Sequence, residues 1–155
     1  MKNFLKNINE ISEKIYDQLG GTEEKYIQSA ISIELDKRNI PHLREPSIQI
    51  YYDKHPLGFL ELDFIISPHG DLKEYLIIEI KQASKIDDSS RSQLKSQLRS
   101  APLNNHEIIK KVTQGLLINF KKVEKYKDGV NEEPDEKIDI ELWEFKNEKF
   151  KQKEK

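Results

Sequence analysis

Three charged residues, Asp63, Glu79 and Lys81, stand in two segments that are otherwise mostly apolar, LELDFII and YLIIEIK. A buried carboxylate needs a partner or an ion, because burying an isolated charge is costly. In a β-strand, residues i and i+2 lie on one face, so Glu79 and Lys81 point the same way. A turn between the two segments would bring Asp63 beside them. Two close carboxylates repel unless a cation sits between them, and their oxygens suit Mg²⁺ or Mn²⁺.

This set of residues can hydrolyse a phosphodiester bond. A bound divalent ion would neutralise charge on the phosphate, and Lys81 could orient or deprotonate a metal-bound water. The ordinary alternative is an exposed Glu-x-Lys ion pair, since so short a motif often arises by chance in a highly charged chain. The apolar residues around Asp63 and Glu79 favour the site over that alternative.

The elements that must position these residues follow from hydrophobic periodicity. Residues 2–19 carry apolar side chains at spacings of three and four, which predicts an amphipathic helix that ends at Gly20 and Gly21. A second helix runs to about Arg38. The pattern then alternates, and turn residues separate the alternating segments, which predicts three consecutive antiparallel strands. These segments are SIQIYYD, FLELDFIIS and YLIIEIKQA.

The second half of the chain predicts one more helix and two more strands. Helical spacing returns at residues 89–100, where Leu94 and Leu98 share a face, and GLLINF predicts a short buried strand. IDIELWEF alternates and predicts a further strand, whereas KNEKFKQKEK predicts a frayed tail. We therefore expect one α/β domain over residues 1–145 and a charged tail over residues 146–155.

The segment from Gly21 to Leu98 resembles the GxxExxY family of the PD-(D/E)XK nuclease superfamily, and GLLINF matches the closing strand of that family. In the ungapped register Ile27 occupies the position of the family's Tyr, whereas a shift by one residue would match Glu23 and Tyr26 instead. Glu24 is preferred to Glu23, because a gap inside the helix would rotate every later position by about 100°. The matching positions are Gly21, Glu24, Ala30, Ile33, Glu34, Leu35, Tyr51, Tyr52, Leu57, Gly58, Asp63, Glu79, Lys81 and Gln93.

The resemblance implies an α/β restriction-endonuclease-like core of helix, three strands, helix and strand, with an added amino-terminal helix and a carboxy-terminal strand. It also implies a metal-dependent nuclease that acts on DNA and leaves a 5′-phosphate and a free 3′-hydroxyl. Asp63, Glu79 and the backbone carbonyl of Ile80 would hold Mg²⁺ or Mn²⁺, and Lys81 would position the attacking water. The residues that would support this site are Glu24 and Gln93.

A basic stripe on the third helix is the candidate DNA contact. Arg91, Lys95 and Arg99 recur every four residues and share one helix face. Because this helix adjoins the proposed site, we expect the stripe to contact phosphates, although such a stripe is often only a solvated face. The formal charge of −2, from 26 Lys and Arg against 28 Asp and Glu, excludes an overall basic field.

Composition also restricts the compartment and the type of site. The lack of cysteine excludes a disulfide scaffold, a thiolate nucleophile and the common structural zinc sites, and it fits a reducing compartment. No apolar run approaches the roughly 20 residues of a membrane helix, and the amino terminus lacks the continuous apolar stretch of a signal peptide. We expect a cytoplasmic protein without a membrane segment.

A second function is open to the same fold. The domain could be a non-catalytic module that binds a protein partner, and the near-neutral charge and small size favour this alternative because they give little DNA affinity. The complete set of Asp63, Glu79 and Lys81 argues against it, since a binding module has no physical need for two close carboxylates and a lysine.

Overall fold

The computed structural model describes residues 1–122 and 136–154, together with the backbone of Tyr126–Lys127 and Val130–Asn131. Its α-helices are α1 (Lys2–Leu19), α2 (Glu24–Lys37) and α3 (Asp88–Ser100). Its strands are β1 (His42–Arg44), β2 (Ser47–Tyr52), β3 (His55–Glu61), β4 (Phe64–Ile66), β5 (Leu76–Lys81), β6 (Gln114–Phe120), β7 (Tyr126–Lys127), β8 (Val130–Asn131), β9 (Ile138–Lys146) and β10 (Lys149–Glu154). None of the described helices is long and apolar enough to cross a membrane.

A six-stranded mixed sheet forms the centre of the fold, in the order β1-β4-β5-β6-β9-β10. The central pair β5 and β6 is parallel, and the other neighbours in this sheet are antiparallel. Apolar residues of α1 and α2 pack on one face of the sheet, whereas those of α3 pack on the other. The predicted α/β class, the three helices and the strands at GLLINF and IDIELWEF are confirmed.

Strand β5 divides its side chains between the two faces of the sheet. Leu76, Ile78 and Ile80 belong to the apolar cluster of α1 and α2, whereas Ile77 belongs to the cluster of α3. Glu79 and Lys81 follow the alternation of Ile77 and therefore lie on the α3 side. α3 packs closely on this side at Gly115 of β6, because a side chain there would overlap Leu94.

The predicted three-stranded meander is wrong in one respect, because its first part forms a separate hairpin. β2 and β3 pair only with each other, and the predicted second strand breaks after Glu61 and resumes at Phe64 in the main sheet. Pro46 has no N–H with which to extend the hairpin, and Glu45 beside it has a left-handed φ of 54°. The chain thus bends on both sides of the hairpin, and β1, which was not predicted, pairs with β4.

The frayed tail predicted for residues 146–155 is also wrong. Lys149–Glu154 form β10, which pairs antiparallel with β9 at the edge of the sheet, while Lys155 lies outside the described residues. Phe150 stacks on Trp143 of β9, with ring centroids 4.4 Å apart and ring planes 7° apart. This aromatic pair supplies the apolar contact that the composition of the tail did not suggest. The single domain over residues 1–145 stays a prediction.

Candidate active site

The break between β3 and β4 places Asp63 beside the carboxyl end of β5. The Ile80 N–H donates to Asp63 Oδ2 over 2.7 Å, and the Asp63 N–H donates to Glu79 Oε1 over 3.3 Å. Each carboxylate therefore accepts a hydrogen bond from the backbone of the opposing segment. The structure thus brings Asp63 and Glu79 together, and it places Lys81 two residues further along β5.

Both carboxylates are largely removed from water. Glu79 is only 6% exposed. Burial, together with repulsion from Asp63, raises the pKa of Glu79 to about 8. Burial likewise raises the pKa of Asp63 to about 6, although the hydrogen bond from Ile80 opposes that rise. The positive charge of Lys81 lowers the pKa of both groups. A divalent cation between the carboxylates would remove the remaining electrostatic cost.

Gln28 is a site residue that the sequence analysis missed. Its Nε2 donates to Asp63 Oδ1 over 2.6 Å, so that each oxygen of Asp63 accepts one hydrogen bond from the protein. Each oxygen of a carboxylate has a second lone pair, which leaves both oxygens able to bind a cation. One signal was present in the sequence, since Gln28 lies one helical turn after Glu24 and shares its face of α2.

Replacing Gln28 with alanine should lower catalytic turnover by about 10- to 100-fold, because Asp63 loses the group that orients it. The metal concentration for half-maximal activity should rise, while KM for DNA stays near the wild-type value. Gln18→Ala, a change of an exposed glutamine on α1, is the matched control. Activity should be measured over a range of Mg²⁺ or Mn²⁺ concentrations. A loss that excess metal cannot reduce, together with a lower melting temperature, would assign Gln28 a structural role only.

A cleft of about 920 Å³ opens at Lys81, two residues beyond Glu79 on β5, although its described lining includes neither Asp63 nor Glu79. Its walls are the start of α2, the segment that follows β5 and the first turns of α3. Three of the predicted site residues line it, namely Glu24, Lys81 and Gln93. The fold therefore gathers these residues from three separate parts of the sequence around one opening, which Lys81 connects to the carboxylate pair.

The structure favours Glu24 over Glu23 as the acidic residue near the pair. The charge of Glu24 raises the pKa of both Asp63 and Glu79, so it lies close to them. Glu23 instead forms an ion pair with Lys25 at 3.3 Å, and both side chains are well exposed. The ungapped register of the family resemblance is consistent with this arrangement.

The basic stripe faces away from the cleft-lining side of α3. Arg91 is 200° around the helix from Gln93, given about 100° per residue. Its guanidinium lies 2.6 Å from Glu141 Oε2 and 2.9 Å from Asp88 Oδ1. Arg99 lies over the ring of Phe145, 5.5 Å from its centroid. Two of the three side chains thus have partners within the protein, and DNA contact by the stripe stays a prediction.

Gln97 lies one turn beyond Gln93 and is fully buried. Among the residues that the structure describes, neither its Nε2 nor its Oε1 has a hydrogen-bond partner. A buried polar group without a partner costs about 1–3 kcal/mol. The position faces the protein interior between Leu94 and Leu98, which would suit an apolar side chain of similar size.

Gln97→Leu should therefore stabilise the protein by about 1–3 kcal/mol and raise its melting temperature by a few degrees. Gln93→Leu on the same helix is the matched control, and since Gln93 is exposed its substitution should change stability by less than about 0.5 kcal/mol. Thermal denaturation of both variants beside the wild type tests this. Destabilisation by Gln97→Leu would show that the buried amide has partners, such as ordered water.

The donor set of the carboxylate pair fits a hard divalent cation. Both side chains offer oxygen ligands, and Ile80 directs its N–H to the side of β5 on which Asp63 lies. In a strand the N–H and C=O of one residue point to the same side, so the Ile80 carbonyl can also contribute an oxygen there. Within the described part of the chain, no cluster of three or more acidic or histidine side chains could hold a metal. Backbone and water oxygens would therefore complete the coordination.

Comparison with known proteins identifies the family. A model of the PD-(D/E)XK nuclease superfamily matches residues 2–132, a range that contains the carboxylate pair, Lys81 and the cleft-lining residues. Neither the curated proteins nor the solved structures provide a match. The chain therefore belongs to the PD-(D/E)XK nuclease superfamily.

Proposed function

We propose that this protein is a metal-dependent deoxyribonuclease of the GxxExxY family, which hydrolyses DNA phosphodiester bonds to give 5′-phosphate and 3′-hydroxyl ends. Membership of the superfamily supports a nuclease. The observation that carries the proposal is the pair of backbone-anchored carboxylates, half-buried Asp63 and buried Glu79, with Lys81 two residues along β5. Two repelling carboxylates beside a lysine serve no purpose in a module that only binds a protein.

Asp63, Glu79 and the Ile80 carbonyl would hold the divalent ion, which we propose to be Mg²⁺ or Mn²⁺. The ion would supply neutralisation of the phosphate charge and polarisation of the phosphorus–oxygen bond. The chain's own contribution is orientation. The Ile80 N–H and the Gln28 amide hold Asp63 in one position, so little rearrangement is needed in the transition state.

The remaining side chains act from the cleft. Lys81 would donate a hydrogen bond to the attacking water and hold it in line with the bond that breaks. Gln93 lies on the first turns of α3. Its amide N–H would donate to a phosphate oxygen of the DNA beside Lys81, or its amide oxygen would accept a hydrogen bond from the Lys81 ammonium group. Glu24, which lines the same cleft, would accept a hydrogen bond from water or from the Lys81 ammonium group.

The deciding experiment is a cleavage assay with the purified protein. Linear duplex, closed circular and single-stranded DNA are each incubated with Mg²⁺, Mn²⁺ or EDTA, and Asp63→Asn protein purified in parallel controls for contaminating nucleases. We expect cleavage that requires metal and the wild-type protein. The 5′ ends should accept a radioactive phosphate from a kinase only after phosphatase treatment, because they already carry a phosphate. Failure to cleave any of these DNAs with either metal would favour the non-catalytic module.

A further inference from the structure

Three lysines of the cleft form no ion pair within the described part of the chain. Lys81, Lys85 and Lys122 line it, and among the residues that the structure describes none of them has a carboxylate within ion-pair distance. Other basic residues nearby are paired. Lys121, the neighbour of Lys122, lies 3.5 Å from Asp139, and Arg91 lies 2.6 Å from Glu141. Lys81 interacts electrostatically with Asp63, Glu79 and Asp87, so the positive charge that lacks a nearby carboxylate in the described part of the chain is that of Lys85 and Lys122.

The backbone holds the two outer lysines in place. The buried side chain of Asn119 accepts from the Ala83 N–H over 2.9 Å and donates to the Ala83 carbonyl over 3.0 Å. The Lys122 N–H donates to that same carbonyl over 3.1 Å, which joins the end of β6 to the segment after β5. Gln82 in this segment donates to the Thr22 carbonyl over 2.6 Å. Lys85 and Lys122 therefore project from backbone that is tied to both walls of the cleft.

The acidic residues of the cleft, Glu23, Glu24 and Asp87, offset this charge only in part. Glu23 forms its ion pair with Lys25, and Asp87 accepts a hydrogen bond from the Ser90 N–H as the cap of α3. Glu24 and Asp87 form no ion pair among the described residues, and Asp87, whose pKa the hydrogen bond from Ser90 lowers, lies near enough to Lys81 for that lysine's charge to lower the pKa further. The start of α3, whose positive dipole end is capped by Asp87, adds the hydroxyl groups of Ser89 and Ser90. The cleft is therefore suited to a ligand with several negative charges in a row.

We propose that Lys85 and Lys122 bind the phosphates of the DNA strand next to the phosphodiester that is cut, and so set the path of the backbone through the cleft. This inference rests on the proposed nuclease function, since it takes the strand that Lys81 and the carboxylates act on as the ligand. Contacts to phosphate position a nucleic acid without reading its sequence. Lys85 and Lys122 would therefore raise the affinity of the protein for DNA of any sequence. The path differs from the one expected along Arg91, Lys95 and Arg99.

Salt dependence of binding tests the proposal without cleavage. Labelled single-stranded and duplex oligonucleotides are titrated in EDTA at several salt concentrations with wild type, Lys85→Ala/Lys122→Ala and a control, Lys149→Ala/Lys151→Ala. The control removes the same charge from exposed positions on β10, at the far edge of the sheet. Loss of two phosphate contacts should lower the slope of log affinity against log salt by about 1.4 for single strands or about 1.8 for duplex. The control should keep the wild-type slope.

Several outcomes decide the matter. An unchanged slope in the Lys85→Ala/Lys122→Ala protein, at an unchanged melting temperature, would overturn the inference, and so would the absence of DNA binding by the wild type. A lower slope in a Lys95→Ala/Arg99→Ala protein alone would move the path to the stripe on α3. The two proposals separate when cleavage is measured with Mn²⁺. If the double lysine variant cleaves DNA with the wild-type KM, the nuclease function stands and the proposed phosphate path is wrong. If DNA binding depends on Lys85 and Lys122 but the wild type does not cleave, the phosphate path stands and the nuclease function is wrong.

Discussion

Lys81→Ala should abolish DNA cleavage, with a loss of about 10³-fold or more, while the protein stays folded. The lysine is half-buried at the end of β5 and lines the cleft, and in the proposed mechanism it is the group that positions the attacking water. Asp63→Asn and Glu79→Gln should cause comparable losses, because each removes a negatively charged oxygen ligand. Single-turnover cleavage with saturating Mn²⁺ measures the loss directly.

The three residues should behave as one unit. A Lys81→Ala/Asp63→Asn double variant should be scarcely less active than either single variant, because a site that lacks one member of a catalytic set gains little from the others. Lys151→Ala on β10, an exposed lysine far along the sheet, controls for the loss of one positive charge. Wild-type cleavage by Lys81→Ala protein would show that the proposed mechanism is wrong. Multiplicative losses in the double variant would show that the residues act independently.

The core of this site was predictable from the sequence because its geometry is local. Residues i and i+2 of a strand share a face, so Glu79 and Lys81 could be placed together from their spacing alone. Two antiparallel segments joined by a turn bring Asp63 beside them, and this held even though the predicted strand that contains Asp63 is broken in the structure. The break does not alter which residues of β4 and β5 are opposite each other.

Other features of the site and the fold depend on contacts between segments that are distant in the sequence, and hydrophobic periodicity does not predict such contacts. Gln28 reaches Asp63 only because α2 packs on the face of the sheet beside β4 and β5. The partner of Arg91, Glu141, is 50 residues away and on another strand, so the stripe looked unpaired in the sequence. The last strand was not predicted because its composition is mostly charged. A single aromatic residue, Phe150, stacks on Trp143, and hydrophobic periodicity does not detect a contact made by one residue.

Without metal, the protein should lose stability as pH rises from about 4.5 to about 8. The folded pKa of Glu79 is raised to about 8 from an ordinary value of 4.5, so between these values the folded state binds the proton more tightly than the unfolded state does. Stability therefore falls with pH in this window. Asp63 adds a similar effect up to about pH 6, since its pKa is also raised by burial.

Glu79→Gln should remove the part of this dependence that comes from Glu79, because glutamine stays neutral in the folded state at every pH. In EDTA at pH 8 the variant should be more stable than wild type by on the order of 2 kcal/mol, or roughly 4–8 °C in melting temperature, whereas at pH 4.5 the two should melt together. Glu13→Gln, at an exposed position on α1, is the matched control and should show no such difference between the two pH values. If the melting temperature of Glu79→Gln differs from that of the wild type by the same amount at both pH values, Glu79 ionises normally.

Addition of metal should reverse the order of the two proteins. Mg²⁺ or Mn²⁺ binds the ionised carboxylates, so it should raise the melting temperature of the wild type most at pH 8, where it replaces the protons that burial favours. Saturation to 100 times the dissociation constant adds about 2.7 kcal/mol, which is enough to offset the electrostatic cost of the ionised pair. The Glu79→Gln protein, with one carboxylate removed, should gain little. A rise of the same size in both proteins would place the bound metal away from Asp63 and Glu79.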